Sequence, residues 1–252
     1  ALSYMYRHID IALFVGKSNC EYFETYGVTP DRLLWAPHSV ENERFSDPTG
    51  RLEREAARWR ARLGIRADVP VALFGGKLEK KKSPDLLLRS FLAHARPEAQ
   101  LIFVGTGELE GELRRTAGSD SRIHFLGFQN QSVMPVVYRL ADVYVLPSGG
   151  PGETWGLAVN EAMASERPVI VSDRVGCAAD LVIDGETGFT FPHGDEIALG
   201  EALQRILLDT TRSRSLGAAA SRLIERWSLL EQAARIEKAV EIALAPRRIP
   251  SR

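Results

Sequence analysis

Strand and helix patterns alternate along almost the whole chain of 252 residues, and that alternation constrains the fold more than any other feature. Short apolar runs bounded by turn residues read as strands at 11–15, 33–36, 69–74, 100–104, 123–126, 143–146, 169–171 and 188–191. Between and after them, apolar residues recur at helical spacing over 17–26, 83–94, 109–117, 133–140, 156–164, 196–208, 212–227 and 229–243. A chain written this way calls for an α/β fold, a Rossmann-like doubly wound parallel sheet with helices on both faces and ligands at the carboxyl ends of the strands.

The segment Gly152 to Ala164 carries the most chemistry. It places Glu153 and Glu161 eight positions apart, across the junction of a glycine-rich loop (148–152) and a helix that should begin near Trp155 or Gly156. Glu161 is then a lone acid among Leu157, Ala158, Ala162 and Met163, roughly 7.5 Å along the helix axis from its start. Taken singly, Glu161 reads as part of a local hydrogen-bond network and Glu153 as a solvated loop charge. With a helix N-terminus between them, whose free N–H groups favour an anion, the pair suits a nucleotide sugar. The sugar would lie at Glu153, the diphosphate over Gly156 and Leu157, and the ribose hydroxyls at Glu161, because carboxylates accept hydrogen bonds from vicinal hydroxyls in pairs.

These residues resemble the Glu-x7-Glu motif of retaining glycosyltransferases of the GT-B fold, most closely glycosyltransferase family 4 (group 1). Ala162 to Ala164, Pro168 to Ser172, Phe125 to Gly127, Asp142 to Ser148, Val175-Gly176 and Asp184 to Gly188 follow that family's order. Gly75 to Lys82 resembles its Gly-Arg-Leu-x-x-x-Lys segment, with Lys77 in place of arginine. The resemblance runs from about Leu33 to Leu208 and implies the C-terminal, donor-binding half of a GT-B enzyme. It implies that Glu153 contacts the transferred sugar and stabilises charge at the anomeric carbon, that Glu161 fixes the ribose, and that Lys77 and Lys82 steady the departing diphosphate. A solvated lysine turn is the alternative for those lysines, since Lys80 and Lys81 extend the charge run. Gly75 and Gly76 permit close backbone approach, although turn geometry alone would also account for them. Gly127 and Phe128 fall in the family's base-binding region, with Phe128 as core the competing reading. The resemblance implies a UDP- or GDP-sugar donor and a carbohydrate or lipid-linked acceptor.

Domain organisation follows from the same comparison. Residues 1–40 read as the end of an acceptor-binding domain and an interdomain link, 41–227 as the donor domain, and 228–252 as a closing helix returning to the first domain. His38, Ser39 and Glu41 depart from the family's Pro-Asn-Gly-Val-Asp link. The chain starts within a pattern rather than at an initiator methionine, so most of the acceptor half is expected to be missing. Leu229, Ala233, Ile236, Val240 and Ala243 make an apolar stripe that the missing part would cover.

Other chemistries fit less well. With 32 basic and 33 acidic residues, a formal net charge of −1 and a pI near 6.6, the chain lacks the basic excess of a nucleic-acid binder. Gly105-Thr106-Gly107 follows a strand, but Glu110 stands where a dinucleotide fingerprint needs its third glycine, so a tight turn lining the cleft is expected. No Asp-x-Asp pair or histidine set has metal-ligand spacing, so catalysis is expected to need no metal and no other cofactor. Two cysteines, Cys20 and Cys177, are too few for a disulfide framework, which suggests a reducing cytoplasm. No apolar run approaches the roughly 20 residues of a bilayer span. The stretch 51–66, with six arginines and Trp59, is either a solvated connecting helix or a peripheral contact with the inner face of an anionic membrane.

Three functions remain open from sequence: a glycosyltransferase of which this chain alone binds donor with little turnover, a non-catalytic nucleotide-sugar-binding module or half-enzyme needing a partner chain, and a sugar phosphorylase or epimerase on the same architecture.

Overall fold

The computed structural model describes residues 1–149 and 152–245. Gly150 and Pro151, in the middle of the expected glycine-rich loop, and residues 246–252 lie outside them. The chain begins with α1 (Leu2–Tyr6), β1 (Ala12–Phe14), α2 (Lys17–Thr25) and β2 (Leu33–Trp35), followed by α3 (Asn42–Phe45) and α4 (Arg51–Arg62). There follow β3 (Val71–Gly75), α5 (Pro84–His94), β4 (Gln100–Val104), α6 (Glu110–Ala117), β5 (Ile123–Phe125) and α7 (Met134–Tyr138). The remainder is β6 (Val143–Leu146), α8 (Leu157–Ala164), β7 (Val169–Ser172), α9 (Ala178–Leu181), β8 (Gly188–Phe191), α10 (Glu196–Leu207), α11 (Thr210–Ile224) and α12 (Leu229–Leu244).

All eight expected strands form, and every pairing is parallel. β1 and β2 make a small sheet of their own, while the other six run in the order β5-β4-β3-β6-β7-β8. Counted within that unit the order is 3-2-1-4-5-6, the doubly wound arrangement whose topological switch point lies between its first and fourth strands, here β3 and β6. Alternate residues of each strand face opposite ways. Val71, Leu73, Tyr144 and Leu146 enter one apolar core with α4, α7 and α8, while Ala72, Phe74, Val143 and Val145 enter a second with α5 and α10. Burial on both faces explains why these strands are continuous apolar runs instead of alternating ones.

Three short helices, α1, α3 and α9, were not expected, and the boundaries of others shift. α11 begins at Thr210 because the Asp209 carboxylate caps it, accepting from the N–H groups of Thr211 and Arg212, and it stops at Ile224 instead of reaching Trp227. The arginine-rich helix ends at Arg62, and it is not a plainly solvated face: Arg60 turns inward and donates to the carbonyl of Val69, and Trp59 packs against the core.

The small sheet is fastened to the large one. Trp35 of β2 meets Trp227 edge-on with ring centroids 5.7 Å apart, and the backbone N–H of Lys17 donates to the Asp180 carboxylate at 3.0 Å. α12 lies against β2, with the Arg235 guanidinium 5.7 Å from the Trp35 ring centre and the Ser39 hydroxyl 2.6 Å from Gln232 Oε1. Of its described residues only Ala239 is buried, and Leu230, Ile236, Val240 and Leu244 are exposed.

Candidate active site

The switch point positions the site. Where β3 and β4 end, their chains turn through glycines that pack backbone to backbone: Gly76 N–H donates to Val104 O at 2.9 Å, and Gly105 N–H donates to Gly127 O at 2.7 Å. Gly105 has φ +124, and a Cβ there would stand 1.9 Å from the Gly76 carbonyl oxygen. These turns open a cleft of about 360 Å³ whose walls include Gly75, Gly76, Lys77, Gly105, Thr106, Phe128, Gln129, Tyr138, Ala158 and Glu161. Phe128 is 74% exposed, so the reading of it as a core residue is corrected: its ring stands at the edge of this cleft.

Glu161, on the first turns of α8, is partly buried and held at both oxygens. Oε2 accepts from the Tyr138 hydroxyl at 2.7 Å, and Oε1 accepts from the Gln131 amide. Burial first, and then the neighbouring Tyr144 and Glu161 charges, hold the Tyr138 phenol well above its ordinary pKa, so it stays a donor.

α8 begins where expected. Gly156 takes φ +98 as its N-cap, and a Cβ there would lie 2.9 Å from Val175, so the tight entry into the helix requires glycine. Leu157 is 43% exposed at the first helical position, which corrects its reading as an apolar core neighbour. Asn160, one turn on, is fully buried: it accepts from Trp155 Nε1 at 2.9 Å and donates to the His38 carbonyl at 3.0 Å. That bond ties the two-glutamate segment to the link between the two sheets.

Glu153 forms a second cluster. Its Oε2 accepts from Lys82 Nζ and, at 2.9 Å, from the Ser148 hydroxyl, and its side chain is only 10% exposed. The Lys82 turn is held by a 2.9 Å bond from Gly149 N–H to Lys81 O and by Ser83 in a left-handed conformation, its hydroxyl 3.3 Å from His193 Nε2.

The structure thus brings Gly75, Gly76, Lys77, Phe128 and Glu161 to one cleft and pairs Lys82 with Glu153. Gly127, Gly156, Leu157, Glu153 and Lys82 are not among the residues lining that cleft. Tyr138, Gln131 and Ser148, which orient the two glutamates, were not singled out from sequence. Nothing local marks Tyr138 and Gln131, which precede Glu161 by 23 and 30 positions, whereas Ser148 stands only five positions before Glu153, in the loop already read beside the motif.

The family profile described as "Glycosyl transferases group 1" matches residues 55–223. The chain belongs to that family. A D-inositol 3-phosphate glycosyltransferase of Corynebacterium aurimucosum is 29% identical over 225 residues, which cover 85% of this chain and 52% of that protein. A GDP-mannose-dependent monoacylated alpha-(1-6)-phosphatidylinositol monomannoside mannosyltransferase of Corynebacterium glutamicum is 28% identical over 229 residues, 87% of this chain and 59% of that protein. The chain therefore spans about half the length of the curated relatives it matches. Among solved structures, Anabaena HepE in complex with UDP superposes with a TM-score of 0.83 at 19% identity, over 95% of this chain and 66% of that one. At that identity the likeness speaks for the fold, a six-stranded parallel sheet with flanking helices that matches GT-B glycosyltransferases. Among the described residues, no helix is long and apolar enough to cross a membrane.

Proposed function

We propose that this group 1 chain is the donor-binding half of a retaining family 4 glycosyltransferase that moves a sugar from a UDP- or GDP-sugar to a carbohydrate or lipid-linked acceptor. The observation that carries the reading is the cleft at the β3/β6 switch point with Glu161 fixed at its wall by Tyr138 and Gln131. Ribose hydroxyls would donate to Glu161, and the base would lie beside Phe128 and Gly127. The diphosphate would span Gly75, Gly76 and the N-terminus of α8 at Gly156 and Leu157.

Lys77 and Lys82 would supply positive charge to the leaving diphosphate, the role a metal plays in other transferases, so no metal is required in this reading. Glu153 would face the transferred sugar and stabilise developing positive charge at its anomeric carbon. Retention would follow from attack on the face the leaving phosphate vacates.

In the same reading, residues 1–40 close an acceptor domain, 41–227 form the donor domain and the helix in 228–252 returns to the first. The exposed apolar side chains of α12 and its contacts with β2 support that arrangement. The protein would work in the cytoplasm or at the inner face of the membrane. The GDP-mannose and phosphatidylinositol named for a relative favour a lipid-linked acceptor as one of the two options.

A second reading is a nucleotide-sugar-binding module or half-enzyme that needs a partner chain, for which the exposed apolar side chains of α12 offer a surface to cover. In both readings this chain alone binds donor with little transfer, because a closed cleft needs two walls to exclude water and position an acceptor.

Calorimetric titration with UDP, GDP and ADP, on the chain and on Glu161→Ala, tests the site. Selective binding of UDP or GDP, weakened by the substitution, is expected; equal affinity of the variant would overturn the assignment of Glu161. Product analysis on a chain that includes the acceptor half then separates enzyme from module.

A further inference from the structure

The opposite ends of the strands carry a second, larger recess. A groove of about 530 Å³ runs beside α4, and an adjoining recess of about 360 Å³ shares Glu53, Arg60, Ala67, Arg139 and Arg214 with it. Asp142 immediately precedes β6, and Arg167 and Glu166 precede β7, so the groove lies at the amino ends of the strands, away from the nucleotide cleft at their carboxyl ends.

Its walls hold six guanidiniums, from Arg54, Arg60, Arg66, Arg139, Arg167 and Arg214, against three carboxylates, from Glu53, Asp142 and Glu166. Adding Asp68, which pairs with Arg66 at 2.8 Å, and Asp47, whose charge acts on Arg139, still leaves positive charge in excess. The three inner arginines are largely desolvated, with side-chain exposures of 13% for Arg60, 1% for Arg139 and 14% for Arg167. Arg139 donates to the carbonyls of Pro135 at 2.9 Å and Phe45 at 2.6 Å. Arg139 and Arg167 then share one oxygen of Glu53, which is itself half exposed: Arg139 Nε lies 3.5 Å from it and Arg167 pairs with it directly. Arg60 reaches only 3.7 Å from Asp142. The Nε–H groups of all three are buried without a hydrogen-bond acceptor among the described residues.

Buried like charges that share a single carboxylate are costly unless another anion joins them. Burial first, and next the charge of Arg167, holds the Arg139 guanidinium below its ordinary pKa against the opposing pull of Glu53, Asp47 and Glu166. Planar guanidiniums match phosphate oxygens in pairs, and Ala57, Ala61 and Ile65 add an apolar wall beside them.

We propose that this arginine groove is a binding site for a phosphate ester, separate from the donor cleft. The phosphate belongs either to a small soluble ester or to a lipid headgroup, and both present the same oxygens to Arg54 and Arg214 at the exposed rim.

The test is calorimetric titration with inorganic phosphate at constant ionic strength, with three proteins: the chain itself, Lys77→Ala/Lys82→Ala, which weakens any anion binding in the donor cleft, and Arg54→Ala/Arg214→Ala. The two rim arginines are exposed, so their removal leaves the fold in place. Phosphate binding should persist in the lysine variant and weaken at least tenfold in the arginine variant. Sedimentation with phosphatidylcholine vesicles containing phosphatidic acid identifies the source. Binding to the vesicles that is lost in the arginine variant assigns a headgroup, and binding of free phosphate alone assigns a soluble ester. Undiminished phosphate binding by the arginine variant, or no binding of either probe by the lysine variant, overturns the proposal.

Discussion

The hydroxyl of Tyr138 donates a 2.7 Å hydrogen bond to Glu161 Oε2 from a fully buried position on α7, so the carboxylate proposed to hold the ribose is aimed from a neighbouring helix. Tyr138→Phe keeps the packing and removes the donor. A hydrogen bond to a charged group contributes about 1.5–3 kcal/mol, so nucleotide affinity should fall roughly tenfold or more while unfolding free energy changes less than it would for a core truncation. Calorimetry with UDP and GDP, beside a denaturant titration, separates the two effects. Wild-type affinity in the phenylalanine variant would show that Tyr138 does not position Glu161 for binding.

Lys82 and Glu153 neutralise one another, and this gives their substitutions opposite signs. A bound diphosphate would share Lys82 with Glu153, so Lys82→Ala should weaken UDP or GDP binding. Glu153→Gln removes a like charge and frees the lysine, and it should leave binding unchanged or stronger. In a chain that includes the acceptor half, the same Glu153→Gln should lower kcat by about 10²–10³, the usual cost of removing one group that stabilises transition-state charge. If both substitutions shifted nucleotide affinity in one direction, the Lys82–Glu153 pair would not be part of the diphosphate site.

The doubly wound sheet was legible because fully buried parallel strands leave a local mark, apolar runs such as Val143–Leu146 closed by proline or glycine. Helices α3 and α9, four residues each, are too short to show a period, and α3 is held by tertiary contact, with Phe45 packed edge-on against Tyr138. Arg60 carries no local sign that it turns inward to chain carbonyls, so the arginine-rich helix read as either a solvated connector or a membrane contact. Glu153 and Glu161 could be singled out because the family motif lies within nine residues. Lys82 could be singled out from the family segment too, but its pairing with Glu153 could not, since it precedes Glu153 by 71 positions and is brought to it only by the β3/β6 switch point.

Gly105 and Gly76 make a close backbone contact at the mouth of the cleft. With φ +124 and a Cβ that would stand 1.9 Å from the Gly76 carbonyl oxygen, Gly105→Ala cannot be accommodated by a side-chain rotation. The backbone of the β3 turn must move, and strain of this kind costs about 1–3 kcal/mol. The variant should therefore lose stability in denaturant titration and lose nucleotide binding together. Gly118→Ala, at φ +59 with nothing among the described residues within 4 Å of its Cβ, is the control: it should lose some stability but keep binding. Unimpaired nucleotide binding by Gly105→Ala would dissociate this turn from the site.

Stability should decline on the alkaline side because Cys177, Tyr138 and Tyr144 are buried in their neutral forms. Burial, helped for Cys177 by the Glu153 charge, raises each pKa above ordinary values of 9.0 for the thiol and 10.0 for the phenols. A group whose pKa is raised in the folded state contributes stability that is complete below its unfolded pKa. That contribution fades as pH climbs past it, since the unfolded chain then releases protons that the folded chain retains. The decline should begin near pH 9 with the thiol and steepen above pH 10 as the phenols join. Cys177→Ala lowers stability at neutral pH through lost packing and removes its share of the first part of the slope, so between pH 8 and about 9.5 its unfolding free energy should fall less than that of the parent chain; the remainder comes from Cys20, whose thiol is also raised, by burial first and then by Glu24 and Glu21. Guanidinium titrations across pH 7 to 10.5 measure both curves, and parallel curves would mean that the Cys177 proton is not retained on folding.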